Sequence, residues 1–328
     1  MAYTDIDDPS AYFQTKLYTG TNNELVLTFD GNSDLQTDMI WTKNRSRSST
    51  NHVLSDTVRG IGKGLYPDLT NTQGDTNYVS AIGSDGYTIV ATDSIEINRD
   101  DDTFVSWNWK EQAGVFDIVS YTGNGSNRTI SHSLGSVPKM MIVKRRDASA
   151  SWFVYHVANG NGNVMKLDNT EAVSAYAEYW NSTTPTSSVF SLGTAATANV
   201  NNGTFIAYLF AEKQGYSKFG SYTGNGNADG TFVYTGFKPA WVMVKRTDSA
   251  NDWCLYDNKR DTDNVVQDKL QPNQASAESD DTSMDFVSNG FKFRETGGNF
   301  NASGGTYIYM AFAENPFVTS TGVPATAR

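Results

Sequence analysis

A lysine and a glutamate recur at matching places along the sequence, and they are the first residues whose types suggest chemistry. The lysines stand 101 residues apart, and the six residues are Lys43, Lys144, Lys245, Glu111, Glu212 and Glu314. A catalytic pair of this kind would have to be catalytic three times in one chain. We therefore expect a structural Lys–Glu ion pair in each copy of a repeated unit.

Other residue types that commonly perform catalysis or bind metals are few. The three histidines, His52, His132 and His156, are far apart, and none lies in a metal-type pair. The single cysteine, Cys254, excludes an intramolecular disulfide and a cysteine-based metal site. The sequence has no Gly-x-Ser-x-Gly elbow, His-Glu-x-x-His motif or phosphate loop. We predict a protein without catalytic residues, metal or cofactor, and its ligand-binding residues stay unknown.

Several acidic and glycine-rich stretches offer weaker signals. Residues 100–102 and 280–281 carry adjacent aspartates, but neither has the Asp-x-Asp-x-Asp-Gly order of a calcium loop, so solvated carboxylates are expected. Residues 60–64 have the wrong glycine spacing for a cofactor loop and are interpreted as a turn. A glycosidase needs two carboxylates across a cleft, which 36 acidic residues neither support nor exclude.

An aromatic cluster lies in a polar stretch of the chain. Tyr176, Tyr179 and Trp180 could stack on sugars, although packing beneath a long loop is the preferred interpretation. Apolar residues at helical spacing in residues 170–180 predict one short helix. Glycan binding stays open at this stage.

Charge and composition exclude some classes of partner. The formal net charge is −11, and the largest basic cluster is residues 144–146, interpreted as a solvated strand end. Nucleic acid is therefore not expected as a partner, because phosphate binding needs a basic surface. No window approaches 18 apolar residues and the N-terminus lacks secretory features, so we expect synthesis in a cytoplasm, with neither a signal peptide nor membrane insertion.

One nine-residue pattern occurs three times and organises the chain. It covers residues 103–111, 204–212 and 306–314, with spacings of 101 and 102 residues. Such a period predicts three tandem modules of about 100 residues, each burying its own core. The modules are residues 1–113, 114–214 and 215–328, joined by short glycine junctions on a fairly stiff rod. Abundant Gly, Thr, Ser and Asn predicts many short strands joined by tight turns. We therefore expect an all-β fold of three β-sandwich modules, for which we take the jelly-roll type.

Further segments recur within the modules. Residues 39–43, 140–144 and 241–245 predict strands buried on both faces, whereas residues 151–155 and 252–256 predict strands with one wetter face. At the corresponding place module one has residues 51–54, which lack the tryptophan found in the other two copies. Other predicted strands begin at residues 85–87, 188–190 and 289–291, and Asn-Gly at residues 124–125 and 225–226 indicates turns.

The two faces of the repeated strand carry different predictions. Side chains alternate across a strand, and one face is apolar in all three copies, as in a core. The other face has Ser106, Asn108 and Lys110 in module one but small apolar residues in the other two modules. We therefore expect solvent on this face of module one. In modules two and three we expect the face to be buried against a second sheet or another chain, which makes it the first contact surface to look for. At the two ends of the chain, residues 1–13 predict an arm that frays or docks on a neighbour, and residues 315–328 predict an extended tail that docks on a partner surface or stays disordered.

Nearly the whole chain resembles virion proteins of marine bacteriophages, those of cyanobacteria and of abundant ocean heterotrophs. The resemblance is carried by residues 6–15, 17–20, 137–144, 205–212 and 313–322. It implies tail-fibre, appendage or other structural proteins with concanavalin A-like lectin modules, and it supplies no catalytic residues.

The resulting expectation is a non-enzymatic virion protein, part of a tail fibre or another exposed appendage involved in host attachment. The arm and the tail would contact other virion proteins, and a homotrimer is the favoured oligomer because fibres commonly use three-fold symmetry. The alternatives are a capsid decoration or capsid-fibre protein, a lectin-like protein that recognises a host surface glycan, and a glycan depolymerase.

Overall fold

The computed structural model describes residues 2–326, except for the side chain of Thr282. Almost all regular structure in this part of the chain is antiparallel strand, so the predicted all-β class is confirmed. No helix in the described part is long and apolar enough to cross a membrane. We use repeat 1, repeat 2 and repeat 3 for residues 1–113, 114–214 and 215–328; their standing as three folding domains stays a prediction.

Repeat 1 begins with a 3₁₀ turn at Pro9–Ala11 and then contains nine strands. The strands are β1 (Phe13–Thr19), β2 (Leu25–Leu27), β3 (Met39–Asn44), β4 (Val53–Asp56), β5 (Lys63–Gly64), β6 (Gly74–Asp75), β7 (Val79–Ile82), β8 (Tyr87–Ile89) and β9 (Thr103–Trp109). They form an inner sheet in the order β1-β9-β3-β4, an outer sheet in the order β2-β8-β7, and a small β5-β6 pair.

Repeat 2 contains eight strands and two single-turn helices. The elements are β10 (Phe116–Thr122), β11 (Arg128–Ser131), β12 (Pro138–Arg145), β13 (Trp152–His156), β14 (Asn163–Lys166), β15 (Ser174–Ala175), α1 (Ala177–Trp180), β16 (Val189–Leu192), α2 (Ala196–Asn199) and β17 (Thr204–Ala211). The inner sheet runs β10-β17-β12-β13-β14-β15, and β11 pairs with β16 outside it. Only the last turn of the helix predicted over residues 170–180 forms.

Repeat 3 contains eight strands. They are β18 (Ser217–Thr223), β19 (Phe232–Tyr234), β20 (Phe237–Arg246), β21 (Trp253–Asp257), β22 (Val266–Lys269), β23 (Ser279–Val287), β24 (Gly290–Phe293) and β25 (Thr306–Pro316). The inner sheet has the order β18-β25-β20-β21, and the outer sheet has the order β19-β24-β23-β22. The same four-strand order thus opens the inner sheet of every repeat.

The inner faces of the three inner sheets meet in one shared core, which we call the central cluster. It contains aromatic residues from every repeat, among them Trp41, Trp107, Trp109, Trp152, Tyr208, Phe210, Trp241, Trp253 and Phe312. The apolar face predicted for the repeated strand therefore packs against the other two repeats. The expected stiff rod is wrong, because the repeats surround this common core. Each repeat also buries a core of its own, as expected.

The outer face of each inner sheet is covered by the outer sheet of its own repeat, which forms three further clusters. Ser106 and Asn108 are fully buried there, so the predicted solvent-exposed face of repeat 1 is wrong. The Tyr87 hydroxyl lies 2.8 Å from the Ser106 hydroxyl, and Asn108 Nδ2 donates to the Gln14 carbonyl at 3.1 Å. These partners explain why a polar face is buried. The same face of repeats 2 and 3 is buried, as predicted, and it packs against the outer elements of its own repeat, so it offers no contact surface for another chain.

Backbone hydrogen bonds join the repeats in a cycle. At equivalent positions, one amide of each repeat donates to a carbonyl of the preceding repeat: Ala150 N to Thr70 O at 2.9 Å, Asn251 N to Thr170 O at 2.9 Å, and Thr50 N to Ala275 O at 3.1 Å. The third bond leads from repeat 1 back to repeat 3. We call the three contacts between repeats seams. One chain therefore forms a closed three-part ring.

The glycine junctions are tight turns, as expected, with positive φ angles of 80° at Gly114 and 78° at Gly215. The strands predicted to have a wetter face, β13 and β21, are buried on both faces, because the central cluster covers their second side. The N-terminal arm docks within the chain: Tyr3 donates to the Gly236 carbonyl at 2.6 Å. The tail meets this arm where Ser320 N donates to Asp7 Oδ1, also at 2.6 Å.

Candidate functional site

The predicted Lys–Glu pairs do not form. Glu212 pairs with Lys218 at 2.7 Å, and Glu314 pairs with Lys238 at 2.6 Å. Glu111 accepts the backbone N–H of Ile118 at 2.7 Å. The repeating lysine and glutamate positions therefore reflect two separate structural uses, on different strands of each repeat.

The three repeating lysines are buried and donate to backbone oxygens. Lys144 Nζ bonds the carbonyl of Thr70 at 2.9 Å, and Lys245 Nζ bonds the carbonyl of Thr170 at 3.1 Å, each across a seam. Lys43 Nζ bonds Thr50 O at 2.9 Å within its own repeat. Burial lowers the pKa of all three lysines to about 8. The solvated strand end predicted for residues 144–146 is wrong for Lys144, which is buried, whereas Arg145 ends the strand and is half-exposed, as is Arg146.

At another set of equivalent positions, a ring nitrogen on one side of each seam contacts a backbone carbonyl of the adjacent repeat. Trp152 Nε1 donates to Tyr66 O and Trp253 Nε1 donates to Lys166 O, both at 2.9 Å. In repeat 1 the imidazole of His52 takes this place, with Nε2 lying 3.1 Å from Gln271 O.

The protonation state of His52 follows from its two neighbours. Trp41 Nε1 donates to His52 Nδ1 at 3.0 Å, so Nδ1 accepts and Nε2 carries the proton that Gln271 O receives. Burial lowers the pKa of His52 well below its usual value, with Lys43 adding to the effect. A neutral histidine therefore replaces the tryptophan that repeat 1 lacks.

At two of the seams, a buried carboxylate accepts a hydrogen bond from a side chain of the adjacent repeat. Asp56 pairs with Arg59 and accepts the hydroxyl of Tyr208 at 2.6 Å, from repeat 2. Asp257 pairs with Arg260 at 2.6 Å and accepts Trp107 Nε1 at 2.9 Å, from repeat 1.

At the third seam, the corresponding residue is a histidine. His156 Nε2 lies 3.1 Å from Tyr309 O of repeat 3. Burial lowers the pKa of His156 to about 4. The residues with the most chemically suggestive types thus hold adjacent repeats together.

The predicted aromatic cluster is mostly packed. Trp180 is buried and its Nε1–H donates to Asn163 O at 3.0 Å, and Tyr179 packs against Phe153 with tilted rings whose centroids are 4.5 Å apart. Tyr176 is half exposed. Packing, the preferred interpretation, therefore holds for two of the three rings, and they do not present a stacking surface together.

The acidic and glycine-rich stretches have structural partners. Asp102 is buried and accepts Asn44 Nδ2 at 2.9 Å, and Asp281 pairs with Lys269. Residues 60–64 begin in a turn, where Lys63 N donates to Gly60 O at 2.9 Å. Across residues 2–326, no group of His, Cys, Asp and Glu side chains is placed to hold a metal ion.

The open hollow most suited to a ligand lies at the seam between repeats 3 and 1, and we call it the seam groove. It has a volume of about 350 Å³, and a second hollow of about 390 Å³ shares Lys238, Glu314 and Asn315 with it. The floor combines β1 of repeat 1 with the ends of β20 and β25. Volumes of this size lie within the range of small-molecule sites.

Both lysines of the seam groove are paired with acidic side chains, whereas Asp8, which also lines it, accepts the hydroxyls of Ser10 and Ser33. Lys238 pairs with Glu314 at 2.6 Å, and Lys259 pairs with Asp30 at 2.9 Å across the seam. Burial raises the pKa of Asp30, but Lys259 and Lys16 together lower it by more. The pKa of Asp30 therefore lies below its usual value. The groove is polar without a free charge cluster.

Uncharged polar groups of the groove remain open to a ligand. Among the residues that the structure describes, the side-chain amides of Asn258 and Asn315 have no hydrogen-bond partner, although both residues line the groove. Thr15 Oγ1 also has no partner in the described residues, but it is fully buried, so a ligand in the groove would not reach it. The two amides can bind hydroxyl or amide groups of a ligand.

Three buried asparagines that sequence reasoning missed shape the loops before the repeated strand. Asn98, Asn199 and Asn301 each stand five residues before its first threonine and are fully buried. The fixed offset was a signal for them. Residues of the seam groove gave no such signal, because they come from distant segments and differ between repeats.

No curated protein and no solved structure matches the chain. The matched family region, residues 8–316, extends over parts of all three repeats. The chain belongs to the family described as "Domain of unknown function (DUF7483)".

Proposed function

We propose that the protein is a non-enzymatic structural component of a bacteriophage virion, part of a tail fibre or another exposed appendage. The observation that carries this proposal is the shared aromatic central cluster enclosed by cyclic seams. It makes one chain a rigid unit that can hold exposed loops in fixed positions. The resemblance of the sequence to marine phage virion proteins supplies the biological setting.

The use of the buried polar residues supports a structural role. His52, His156, Asp56 and Asp257 all bond partners in an adjacent repeat. A catalytic acid or base needs access to a substrate proton, and these groups are enclosed between sheets. The proposal therefore assigns them to assembly of the ring.

The arm and the tail suggest where other virion proteins attach. The arm bonds the end of repeat 2 through Thr4 and Gln214 O, and it bonds repeat 3 through Tyr3 and Gly236 O. The tail meets the arm where Ser320 bonds Asp7. Attachment through this face would leave the other faces of the ring exposed to the surroundings. A homotrimer remains part of the proposal, although a single chain already supplies a three-part ring; the mass in solution at high protein concentration tests it.

Locating the protein on purified particles tests the proposal. Gold-labelled antibody should mark a tail or appendage in electron micrographs, and quantitative mass spectrometry should give tens of copies or fewer for each particle. Hundreds of copies on the head would favour a capsid decoration protein. Absence from purified particles would reject a virion role.

A further inference from the structure

We propose that Lys269 and Asp281 of repeat 3 form a covalent amide bond within the chain, with Glu295 moving the proton that the reaction needs. The bond would join β22 to β23 in the outer sheet. The inference goes beyond the proposed virion role and does not depend on it, because the bond is a property of the folded chain alone.

The three side chains come from three neighbouring strands of repeat 3. Lys269 ends β22, Asp281 lies in β23, and Glu295 lies just after β24. In the outer sheet β23 lies between the other two strands. Lys269 Nζ contacts Asp281 Oδ2 directly. The fold therefore holds an amine and a carboxyl group together, which removes the entropic cost of bringing them to each other.

Burial gives the glutamate a proton that it can exchange. Glu295 Oε1 is buried, without a hydrogen-bond partner among the described residues. Burial raises the pKa of Glu295 to about 7, with Asp281 raising it further and Lys269 lowering it. Glu295 is therefore close enough for both charges to act on it, and at neutral pH it can give and take a proton.

The lysine lies against the interior between the two sheets of repeat 3. Only 11% of its side chain is exposed. Burial raises the pKa of the Cys254 thiol in β21 of the inner sheet, and Lys269 opposes that rise. Asp281 and Glu295 add to the rise, so all three groups face the same buried thiol. Removal from water disfavours charged forms, which favours a neutral amine beside a neutral carboxylic acid.

The reaction is a condensation that releases one water. A proton passes from Lys269 Nζ to Asp281 within the contacting pair, which leaves both groups neutral. The Nζ lone pair attacks Asp281 Cγ, and a C–N bond forms. Glu295 gives its proton to the departing Asp281 hydroxyl and takes one proton from Nζ, so it ends as it began. Atoms and charges balance without an oxidant, reductant or cofactor, and the step occurs once in each chain.

The shared architecture of the repeats does not require these charged side chains. The counterparts of the lysine and the glutamate follow from equivalent backbone pairings and asparagine bonds, and all are uncharged: Gly64 and Val164 for Lys269, and Val90 and Gly193 for Glu295. The valine at position 164 belongs to the core of repeat 2. Repeat 3 thus places a lysine at a core position and adds two carboxyl groups beside it, which indicates a use particular to this repeat.

Mass spectrometry of the purified, full-length protein tests the proposal. The intact mass should be lower than the mass of the sequence by one water, and trypsin should fail to cut after Lys269. The variants K269R and D281A should show the full mass of their sequences. E295Q should be largely unlinked at a time when the original protein is fully linked, because a general acid and base contributes about 10²–10⁴-fold to a rate.

A second lysine–aspartate contact in the same repeat is the matched control. Lys292 and Asp229 also contact each other, but both side chains are more exposed than Lys269 and Asp281. Trypsin should cut after Lys292, and K292R should keep the mass deficit of the original protein. Circular dichroism of K269R should show the original β structure, so that lost linkage is not lost folding.

Two results would overturn the proposal. One is a full intact mass for the folded original protein, and the other is loss of water together with complete cleavage after Lys269. Undiminished linkage in E295Q would overturn the part assigned to Glu295. The virion role is decided by location on particles, so either proposal can fail alone.

Discussion

At the scale of single residues, His52 shows how one side chain can replace another by preserving a hydrogen bond. His52 Nδ1 accepts a hydrogen bond from the Trp41 indole N–H, and Nε2 donates one to Gln271 O. Repeats 2 and 3 make the equivalent bond across their seams with a tryptophan. The substitution H52A would leave the Trp41 indole and the Gln271 carbonyl unpaired in a buried site. We expect a loss of about 3 kcal/mol in the free energy of unfolding.

Urea unfolding measures that loss, and H132A is its control. His132 is only partly buried, and its Nε2 lies 3.2 Å from Thr186 O at a more open site. Its removal should cost less than about 1 kcal/mol. Equal costs for the two variants would show that the seam contact of His52 is not special.

His156 gives the stability of the protein a pH dependence that can be isolated. An unfolded histidine takes up a proton near pH 6.5, whereas folded His156 stays neutral until about pH 4. The unfolded state therefore binds more protons in this window, and the stability that His156 contributes falls as the pH drops from 6.5 towards 4.

The variant H156Q should consequently lose about 2 kcal/mol less stability than the original protein between pH 7 and pH 5. Urea unfolding at both pH values measures the difference. H132Q, whose histidine is less buried, serves as the control and should change this dependence less. An identical pH dependence for H156Q and the original protein would contradict a neutral buried His156.

At the scale of elements, the seams contain two similar buried ion pairs with different support. Arg59 has Asp56 as its acidic partner, while Arg260 has both Asp257 and Glu278, the latter at 2.9 Å. Removing one partner of a buried pair leaves an uncompensated charge, which costs about 3–5 kcal/mol. We expect D56A to reach this range and D257A to cost about 1–2 kcal/mol less, because Glu278 still faces Arg260.

Chemical denaturation of D56A and D257A measures the two costs side by side. Each variant is the matched control of the other. Both aspartates stand at equivalent strand ends, and each accepts one hydrogen bond from an adjacent repeat. A larger cost for D257A would show that Glu278 does not stabilise the arginine.

The loop asparagines act at the same scale. Asn199 Nδ2 donates to Ser126 O at 2.7 Å and to Gly193 O at 2.8 Å, and thereby ties two loops to the start of β17. In N199D a carboxylate oxygen would face both carbonyls, so we expect a loss of about 3 kcal/mol. N201A, at an exposed neighbour, should be close to neutral in the same thermal or urea unfolding measurement.

Strand positions could be predicted from the sequence because each depends on local pattern and on the repeat. The strand starting at Thr204 and the buried strand around Lys144 were found in this way. The partners of their faces could not be predicted, because a strand pattern shows which residues are apolar and not which sheet covers them. Ser106 illustrates the limit. Its polar side chain predicted exposure to solvent, whereas Tyr87 from another sheet supplies a buried hydrogen-bond partner. The seam groove depends wholly on such long-range packing.

At the scale of the whole molecule, the central cluster makes the repeats depend on one another. Repeat 2 contributes Ile142, Trp152, Tyr208 and Phe210 to this cluster, and in isolation it would expose them as a large apolar patch. Soluble monomers rarely expose such patches. We therefore expect residues 114–214, produced alone, to self-associate or to lack cooperative unfolding, whereas the complete chain unfolds in a single transition.

Sedimentation and thermal unfolding of this segment and of the complete chain test that expectation under identical conditions. The three inner faces meet in a cycle of equivalent seams, so association of the isolated repeat should favour three copies over two. The outer cluster of repeat 2, which includes Trp180 and Phe190, lies inside the segment and is available to it when alone. A monomeric segment with cooperative unfolding would show that this outer cluster alone is sufficient. The repeats would then be independent domains that associate, and the central cluster would contribute rigidity without being needed for folding.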